Sequence, residues 1–399
     1  MLRTNPGPGP TVLFYLDRLA VGGPERVVVN LVAGLAGAGW RPAVALDQAA
    51  GELLPEIPPG VPVFDLGARR FPRAVKRLAD LLSRERPDIL VSQRAYLNVA
   101  AALAHAGARS ASTRLVLAEH TLLARWLRDP RMPRRPVDQI LPLVLPALSR
   151  RADAVVAISR GVAREMRQVL GVPAERIRVL YNPVVPPNLG ALASRPVEPP
   201  WPADGLPLIV GAGRLSPEKG FDLLLEAFRQ VLQVRPARLA IVGSGPEGPR
   251  LERLARDLGI AERTVFLGYR PTPYDWLARA DLFVLSSLIE SFPTVLIEAM
   301  ALGKAVVAFD CPEGPREIVT DGVDGLLVPA GDVGRLAGGI LRVLADPALA
   351  ARLGDGARRR GADFGVEPAV ARYMEFFAGL LAEARPRRAG ARPAEEVRP

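Results

Sequence analysis

Short apolar segments alternate with longer amphipathic ones along most of this 399-residue chain. In the first part of the chain, apolar runs suited to strands lie at 11–16, 42–46, 88–92, 115–118 and 154–158. In the second part they lie at 208–212, 239–243, 265–267, 282–285 and 305–309. Helical composition follows at 25–38, 221–234, 247–258, 294–302, 333–344 and 368–384. Such alternation is typical of βαβ units, so it predicts an α/β protein with parallel sheets.

A proline-rich stretch separates the two series. Between Asn182 and Pro207 the chain has prolines at 183, 186, 187, 196, 199, 200, 202 and 207. Because proline lacks an N–H and has a fixed φ, this density predicts irregular backbone. We expect one domain at 1–185, a linker at 186–206 and a second domain at 207–366. A last helix at 367–385 is expected to return to the first domain, and 386–399 to form a disordered tail.

Two acids, Glu290 and Glu298, lie on either side of a predicted helix start. Glu290 follows the apolar run 282–285, whereas Glu298 lies about one turn inside a helix that begins near Pro293. The loop acid and the helix N-terminus can therefore face one cleft. Carboxylates accept hydrogen bonds from sugar hydroxyls and free helical N–H groups bind phosphate oxygens, so a ligand with both groups is expected.

A glycine-rich loop follows the first strand of the second series. It contains Gly211, Gly213, Arg214, Lys219 and Gly220. The glycines permit close backbone approach, Arg214 can bind phosphate with two donors, and Lys219 adds a point charge. Lysine occurs elsewhere only at 76 and 304. The alternative is a plain strand-to-helix turn with solvated bases.

Two further glycine turns also lie between a predicted strand and a helix. Gly243 begins one of them, and Gly22 with Gly23 forms the other. Backbone N–H groups at Gly22 and Gly23 could meet a phosphate from the opposite domain. The Gly243 turn is either a loop close to the nucleotide or a purely structural turn, and the alternative for Gly22 and Gly23 is a plain βα turn.

His120 is one of only two histidines and follows the predicted strand 115–118. Since ligands bind at the carboxyl ends of parallel strands, we expect it to contact substrate. The polar loop 310–317 is a candidate wall of the same pocket. Its Cys311 has no nearby histidine and is not expected to be a nucleophile. Two separate histidines and one cysteine also argue against a zinc site.

The net charge of +10 comes almost entirely from arginine. A GC-rich genome would explain it, and an anionic membrane surface is the functional alternative. Aromatic content is only 6% and no nucleic-acid motif occurs, so no nucleic-acid partner is expected. Residues 122–151 mix arginines with Trp126 and several leucines, which fits either a membrane contact or a packed helix. No apolar run is long enough to span a bilayer.

The motifs of the second half resemble those of retaining GT-B glycosyltransferases of family 4. The similarity lies in 211–220, 243–247, 290–303 and 321–329, and more loosely in 22–27, 119–120 and 181–184. It extends over about residues 10–385 and implies two Rossmann-like domains facing across a deep cleft. The first would bind the acceptor and the second the nucleotide sugar. Ser291 stands where the family commonly has glycine.

The resemblance also implies roles for individual residues. Arg214 and Lys219 would hold the donor diphosphate, Glu298 the ribose and Glu290 the donor sugar. His120 would contact the sugar or the reacting centre, so the expected catalytic residues are His120, Glu290, Arg214 and Lys219. The expected substrate-binding residues are Gly22, Gly23, Arg214, Lys219, Gly243, Glu290, Ser291, Phe292, Pro293, Thr294, Val295 and Glu298.

The expected reaction is transfer of a hexose or N-acetylhexosamine from a nucleotide sugar, UDP-linked, to a glycan or lipid-linked acceptor of the bacterial surface. Neither acid is obviously placed as a nucleophile, so front-face attack is expected, with no tightly bound cofactor and no metal requirement. The expected location is cytoplasmic, with peripheral contact at the inner face of the cytoplasmic membrane. An epimerase-like enzyme and a non-catalytic nucleotide-sugar-binding protein are the alternatives.

Overall fold

The computed structural model describes residues 9–108, 112–122, 136–198, 200–202 and 204–383. Its first half is a seven-stranded parallel sheet in the order β3-β2-β1-β4-β5-β6-β7. The strands are β1 (Thr11–Leu16), β2 (Arg41–Leu46), β3 (Val63–Asp65), β4 (Ile89–Gln93), β5 (Arg114–Glu119), β6 (Ala154–Ala157) and β7 (Ile177–Val179). The helices are α1 (Gly23–Gly37), α2 (Phe71–Glu85), α3 (Ala95–Gly107), α4 (Pro136–Ser149) and α5 (Arg160–Gln168).

The second half is a six-stranded parallel sheet in the order β10-β9-β8-β11-β12-β13. Its strands are β8 (Leu208–Ala212), β9 (Arg238–Val242), β10 (Thr264–Phe266), β11 (Leu282–Leu285), β12 (Ala305–Asp310) and β13 (Leu326–Pro329). Its helices are α7 (Phe221–Val234), α8 (Gly248–Asp257), α9 (Tyr274–Arg279), α10 (Thr294–Ala301), α11 (Gly314–Ile318), α12 (Val333–Ala345) and α13 (Pro347–Ala362). The last helix is α14 (Val366–Ala382).

The predicted α/β fold with parallel sheets is confirmed. The central strands are buried on both faces, which is why they read as continuous apolar runs; all six residues of β1 are buried. The strands β3, β7 and β13 and the helices α9, α11 and α13 were not predicted, and α2, α3 and α5 were expected only as helical segments between strands, without bounds. The expectation of irregular backbone throughout 186–206 was wrong at one point, because α6 (Leu189–Ala193) forms there between Pro187 and Pro196. Its Leu189 and Ala193 are buried.

The two halves meet along an apolar and a polar contact. Tyr181 stacks on Phe292 with ring centroids 5.4 Å apart, and Phe364 packs edge-on against both rings. Beside them, the Glu317 carboxylate accepts hydrogen bonds from Tyr181 Oη at 2.8 Å and from the backbone N–H of Arg160 at 2.7 Å. Glu317 thus lies at the start of α5, where a carboxylate satisfies unpaired helical N–H groups and opposes the helix dipole.

The last helix packs on the first half of the chain. A Cβ added at Gly34 of α1 would lie 2.4 Å from Val370 Cγ2, so glycine is what permits this close approach. Trp40 contacts Phe377 with ring centroids 6.0 Å apart. The chain therefore crosses between the halves twice, once before β8 and again before α14.

We expect Glu317→Ala to lower the free energy of unfolding by about 1–3 kcal/mol, since it leaves the Arg160 N–H and Tyr181 hydroxyl without their acceptor. Glu317→Gln keeps one acceptor oxygen and should lose less. Chemical denaturation measures both. Glu226→Ala, at an exposed glutamate in the middle of α7, is the matched control and should change stability by no more than about 0.5 kcal/mol. Equal stability of the Glu317→Ala and Glu226→Ala variants would contradict this assignment.

Candidate functional site

The loops after β8 and β11 emerge side by side at one edge of the second sheet. β8 pairs with β9 on one side and with β11 on the other, so the chain leaves these strands in opposite directions. A crevice forms at such a switch point, at the carboxyl ends of the strands. Both loops predicted to bind ligand, 213–220 and 286–293, therefore lie at this crevice.

Lys219 and Glu290 form an ion pair across the crevice. Lys219 Nζ lies 2.6 Å from Glu290 Oε1, with the side chains 24% and 8% exposed. Burial alone would lower the pKa of Lys219, but the Glu290 carboxylate outweighs it and the pKa is raised, so the lysine stays charged. Arg214 is exposed, and its guanidinium has no hydrogen bond or ion pair within the described ranges. Lys219 is thus held in place by the Glu290 carboxylate, whereas Arg214 is available to a ligand.

Backbone contacts hold the two loops together. The Ser286 hydroxyl donates to the Lys219 carbonyl at 3.0 Å, and the Leu288 N–H donates to the Glu218 carbonyl at 2.8 Å. A Cβ at Gly220, which has φ +59°, would lie 2.3 Å from the Ser286 carbonyl oxygen. These contacts position Lys219 and Glu290 before any ligand arrives.

Gly243 lies against the same loop. A Cβ added there would lie 1.9 Å from the Gly213 carbonyl oxygen, and its φ is +141°. The turn that was predicted to be close to the nucleotide thus packs directly on the loop that carries Arg214. This close approach accounts for glycine at 243.

Glu298 lies one turn into α10, as expected. Burial raises the pKa of its carboxyl to about 7, opposed by a hydrogen bond from Tyr274 Oη at 3.4 Å and by the charge of Arg26. Arg26 comes from α1 in the first half and donates to Glu56 Oε1 at 2.9 Å through Nη2. Sequence reasoning missed Tyr274 and the position of Arg26. The only signal for Arg26 was its place three residues after Gly23.

His120 is buried at the end of β5 and is uncharged. Burial and the Arg94 charge lower its pKa to about 3, and Nε2 is hydrogen-bonded to Gln93 Oε1. Glu119 Oε1 accepts from the N–H groups of His120 and Thr121 at 3.0 and 3.1 Å. The imidazole can therefore act as a hydrogen-bonding group, but it supplies no positive charge at neutral pH.

The loop around Ser291 joins the two halves beside His120. Ser291 Oγ accepts a hydrogen bond from the Leu122 N–H at 3.1 Å. Ser291 was expected to contact the substrate, and sequence reasoning missed its contact with Leu122. Phe292 and Pro293 are buried, and Phe292 belongs to the aromatic contact with Tyr181. Thr294 and Val295 begin α10 and are partly exposed.

The turn at Gly22 and Gly23 holds an internal carboxylate. A Cβ at Gly22 would lie 2.2 Å from Glu25 Oε2, and Glu25 pairs with Arg94, which has φ +88°. Burial raises the pKa of Glu25, opposed by the Arg94 charge. The N–H groups of this turn therefore lie beside an acid and an arginine that are already paired.

The loop 310–317 adjoins Glu290, as the prediction of a pocket wall requires. The Gly314 N–H donates to the Glu290 carbonyl at 3.2 Å. Two of its acids, however, contact the first half: Glu313 pairs with Arg164 at 3.1 Å, and Glu317 binds the start of α5. Cys311 is buried.

The region 122–151 is only partly described, since 123–135 lie outside the described residues; Leu141, Leu145 and Leu148 of α4 are buried.

Comparisons with known proteins agree with this geometry. The family described as Glycosyl transferases group 1 matches residues 199–360, and Glycosyltransferase Family 4 matches residues 21–186. The chain is 34% identical over 231 residues to an exopolysaccharide phosphotransferase of Streptomyces coelicolor, covering 57% of this chain and 24% of that protein. It is 34% identical over 206 residues to the lipopolysaccharide core biosynthesis glycosyltransferase LpsE of Rhizobium meliloti, covering 52% and 58%.

Solved structures share the whole architecture. Anabaena HepE in complex with UDP superposes with a TM-score of 0.75 at 25% identity, covering 92% of this chain and 100% of that one. A glycosyltransferase of Rickettsia africae superposes with a TM-score of 0.76 at 17% identity, covering 94% and 100%. The predicted GT-B fold is confirmed. Since both halves match in order on this fold, the chain belongs to the group 1, family 4-like glycosyltransferases.

Proposed function

We propose that the protein transfers a hexose or N-acetylhexosamine from a UDP-sugar to a glycan or lipid-linked acceptor, with retention at the anomeric carbon. The observation that carries this proposal is the Lys219–Glu290 ion pair at the β8/β11 crevice, with Arg214 beside it and Glu298 one turn into α10. HepE was solved with UDP, and LpsE is named for lipopolysaccharide core synthesis, which supports this donor and this process.

The proposed donor lies with its diphosphate at Arg214 and Lys219 and its ribose hydroxyls at Glu298. Glu290 is then positioned by Lys219 to accept hydrogen bonds from the transferred sugar, and pairing with the lysine makes it a poor nucleophile. The start of α10 at Thr294 and Val295 adds N–H groups toward phosphate. Catalysis on this arrangement is mainly positioning and charge stabilisation.

In the proposed step, an acceptor hydroxyl oxygen bonds to the anomeric carbon on the face from which UDP departs. The bond between that carbon and the diphosphate oxygen breaks, its electron pair remains on the UDP, and the hydroxyl proton passes to a phosphate oxygen. Arg214 and Lys219 stabilise the charge on the leaving group. The uncharged His120 takes part as a hydrogen-bonding group, and no metal or other cofactor is invoked.

Arg214→Ala and Lys219→Ala should each lower kcat/KM for the nucleotide sugar by about 10²–10³, because each removes a positive charge aimed at the leaving group. A donor screen with UDP-sugars, read out as transfer and as donor hydrolysis, measures this. Arg229→Ala, at an exposed arginine of α7, is the control and should keep wild-type rates. Full transfer by the Arg214 and Lys219 variants would refute the diphosphate assignment. Isomerised sugar formed from donor alone would instead support an epimerase.

Glu298→Gln should weaken UDP binding and stabilise the free protein above neutral pH. The folded-state pKa of about 7 exceeds the ordinary value of 4.5, so the ionised carboxyl destabilises the fold. This penalty is absent below about pH 4.5, grows as the pH rises to 7 and is constant above it. Melting temperatures at pH 5 and pH 8, with calorimetric titration of UDP, test both effects. A variant that binds UDP normally would refute the ribose role, and one less stable than wild type at pH 8 would refute the burial argument.

We further propose a cytoplasmic location with peripheral contact at the inner face of the membrane. On α4, Ile140 and Leu143 are 55% and 79% exposed, and the exposed Arg150 and Arg151 follow the end of this helix. None of the described helices meets the length and apolarity needed to cross a bilayer. Exposed apolar side chains flanked by bases are typical of interfacial helices.

Leu143→Glu should reduce co-sedimentation with anionic phosphatidylglycerol vesicles, because it places a like charge at the apolar contact. Binding by the wild-type protein should fall as salt is raised, since the charge contribution is screened. Val234→Glu, at a valine 70% exposed in α7, is the matched control on the other half. Equal binding of the Leu143 and Val234 variants would count against membrane contact through α4.

A further inference from the structure

A cavity of about 360 Å³ lies in the first half, at the carboxyl ends of β1 and β2. Tyr15, Asp17 and Asp47 line its strand side, and Arg18, Arg69 and Arg70 line it from the adjoining loops. Its volume falls in the range of ~300–1,000 Å³ that is usual for small-molecule sites. The side chains assigned to the nucleotide sugar in the second half, Arg214, Lys219, Glu290 and Glu298, do not line this cavity.

The strand side of the cavity presents carboxylate oxygens. Tyr15 Oη donates to Asp47 Oδ1 at 2.8 Å, and burial, with the Asp17 charge adding to it and the Tyr15 hydrogen bond opposing it, raises the pKa of Asp47 to about 6. Oδ1 of Asp17 is buried and accepts no hydrogen bond from the described residues; Arg94 Nη1 lies 3.8 Å away. The unsatisfied oxygen of Asp17, together with the neighbouring Asp47 carboxylate, suits the hydroxyl groups of a sugar or polyol.

The loop side presents positive charge. Arg18, Arg69 and Arg70 are exposed, and none of their guanidinium groups has an ion pair among the residues that the structure describes. The loop that carries the latter two is fixed, because the Ala68 N–H donates to the Asp47 carbonyl at 2.8 Å. The fifteen-residue helix α2 begins directly after Arg70 without a side-chain cap, which adds to the positive potential. Such an arrangement suits a phosphate group.

Ion pairs connect the cavity to the cleft. Asp17 faces Arg94, Arg94 pairs with Glu25, and Glu25 lies against the turn at Gly22. A ligand with its hydroxyls on Asp17 and its phosphate on the arginines therefore lies next to the turn that faces the donor half.

We propose that this cavity binds a phosphorylated sugar, with hydroxyls on Asp17 and Asp47 and phosphate on Arg18, Arg69 and Arg70. The role of this ligand as the glycosyl acceptor rests on the proposed function, whereas its chemical class rests on the cavity alone. The phosphate belongs either to a free sugar phosphate or to the headgroup of a lipid-linked sugar.

Calorimetric titration of the full chain in saturating UDP tests the free form, with glucose 1-phosphate as the probe and glucose as the neutral comparison. The wild-type protein should prefer the phosphorylated probe, and Arg69→Ala/Arg70→Ala should raise its Kd by about tenfold or more, since charge-assisted hydrogen bonds are lost. Arg73→Ala, at an exposed arginine of α2 that does not line the cavity, is the control. Arg18→Ala replaces the double variant if circular dichroism shows that the latter does not fold.

Co-sedimentation with neutral phosphatidylcholine vesicles carrying polyprenyl-diphosphate N-acetylglucosamine tests the lipid-linked form. Vesicles carrying the polyprenol alone are the comparison. Arginine-dependent binding of either probe supports the proposal and identifies the source of the phosphate. Failure of both probes to bind better than their neutral partners, or wild-type affinity in both the double variant and Arg18→Ala, overturns it.

These outcomes are separable from those of the donor experiments. If no UDP-sugar is turned over, the titration is repeated without UDP. Arginine-dependent binding of glucose 1-phosphate then keeps the cavity assignment while the transferase proposal fails. Conversely, transfer to a phosphorylated acceptor by Arg69→Ala/Arg70→Ala at the wild-type rate and KM would leave the transferase intact and remove the proposed role of this cavity.

Discussion

The ion pair between Lys219 and Glu290 is the contact on which the candidate site depends. It joins the loops after two neighbouring strands and fixes the sign of the charge at the bottom of the crevice. With Glu290 held on the lysine, its remaining oxygen can accept hydrogen bonds, while its nucleophilicity is reduced. Breaking this pair would leave an uncompensated charge in a partly buried position, which is costly. Structure and proposed chemistry thus rely on the same pair.

The candidate site in the second half consists mainly of charged side chains, whereas the His120 imidazole of the first half is uncharged. Burial and the Arg94 guanidinium make His120 neutral, and that guanidinium is also engaged with Glu25. The same arginine therefore adds to the effect of burial on the histidine and connects it, through Glu25, to the Gly22 turn. The hydrogen bond from the Leu122 N–H to Ser291 Oγ joins the segment that follows His120 to the loop of Glu290.

Continuous apolar runs made much of the fold predictable. The bounds of β1, β8, β11 and α7 coincide with those predicted, because buried strands and an amphipathic helix leave strong periodic patterns. The strand β3 has only three residues and two of them are exposed, so it leaves no such pattern. The prediction of irregular backbone in the proline-rich stretch was partly wrong, because the residues between Pro187 and Pro196 form one helical turn.

Site residues could be predicted where the sequence features that position them are their near neighbours in the chain. The position of Glu298 one turn into its helix followed from Pro293, and the loop of Arg214 and Lys219 followed from its glycines. Contacts that depend on how the halves dock were not predictable. Arg26 acts on Glu298, and Glu317 binds Arg160, 157 residues away, only because two separately folded sheets meet in one orientation.

The return of α14 to the first half has a consequence for synthesis of the chain. The face of α1 at Gly34 and the ring of Trp40 are covered by Val370 and Phe377, which the ribosome adds more than three hundred residues later. Domains generally fold as units from the N-terminus during synthesis. Here, the first half emerges with an apolar face that its own residues do not cover, and it is completed only after the whole second half has left the ribosome.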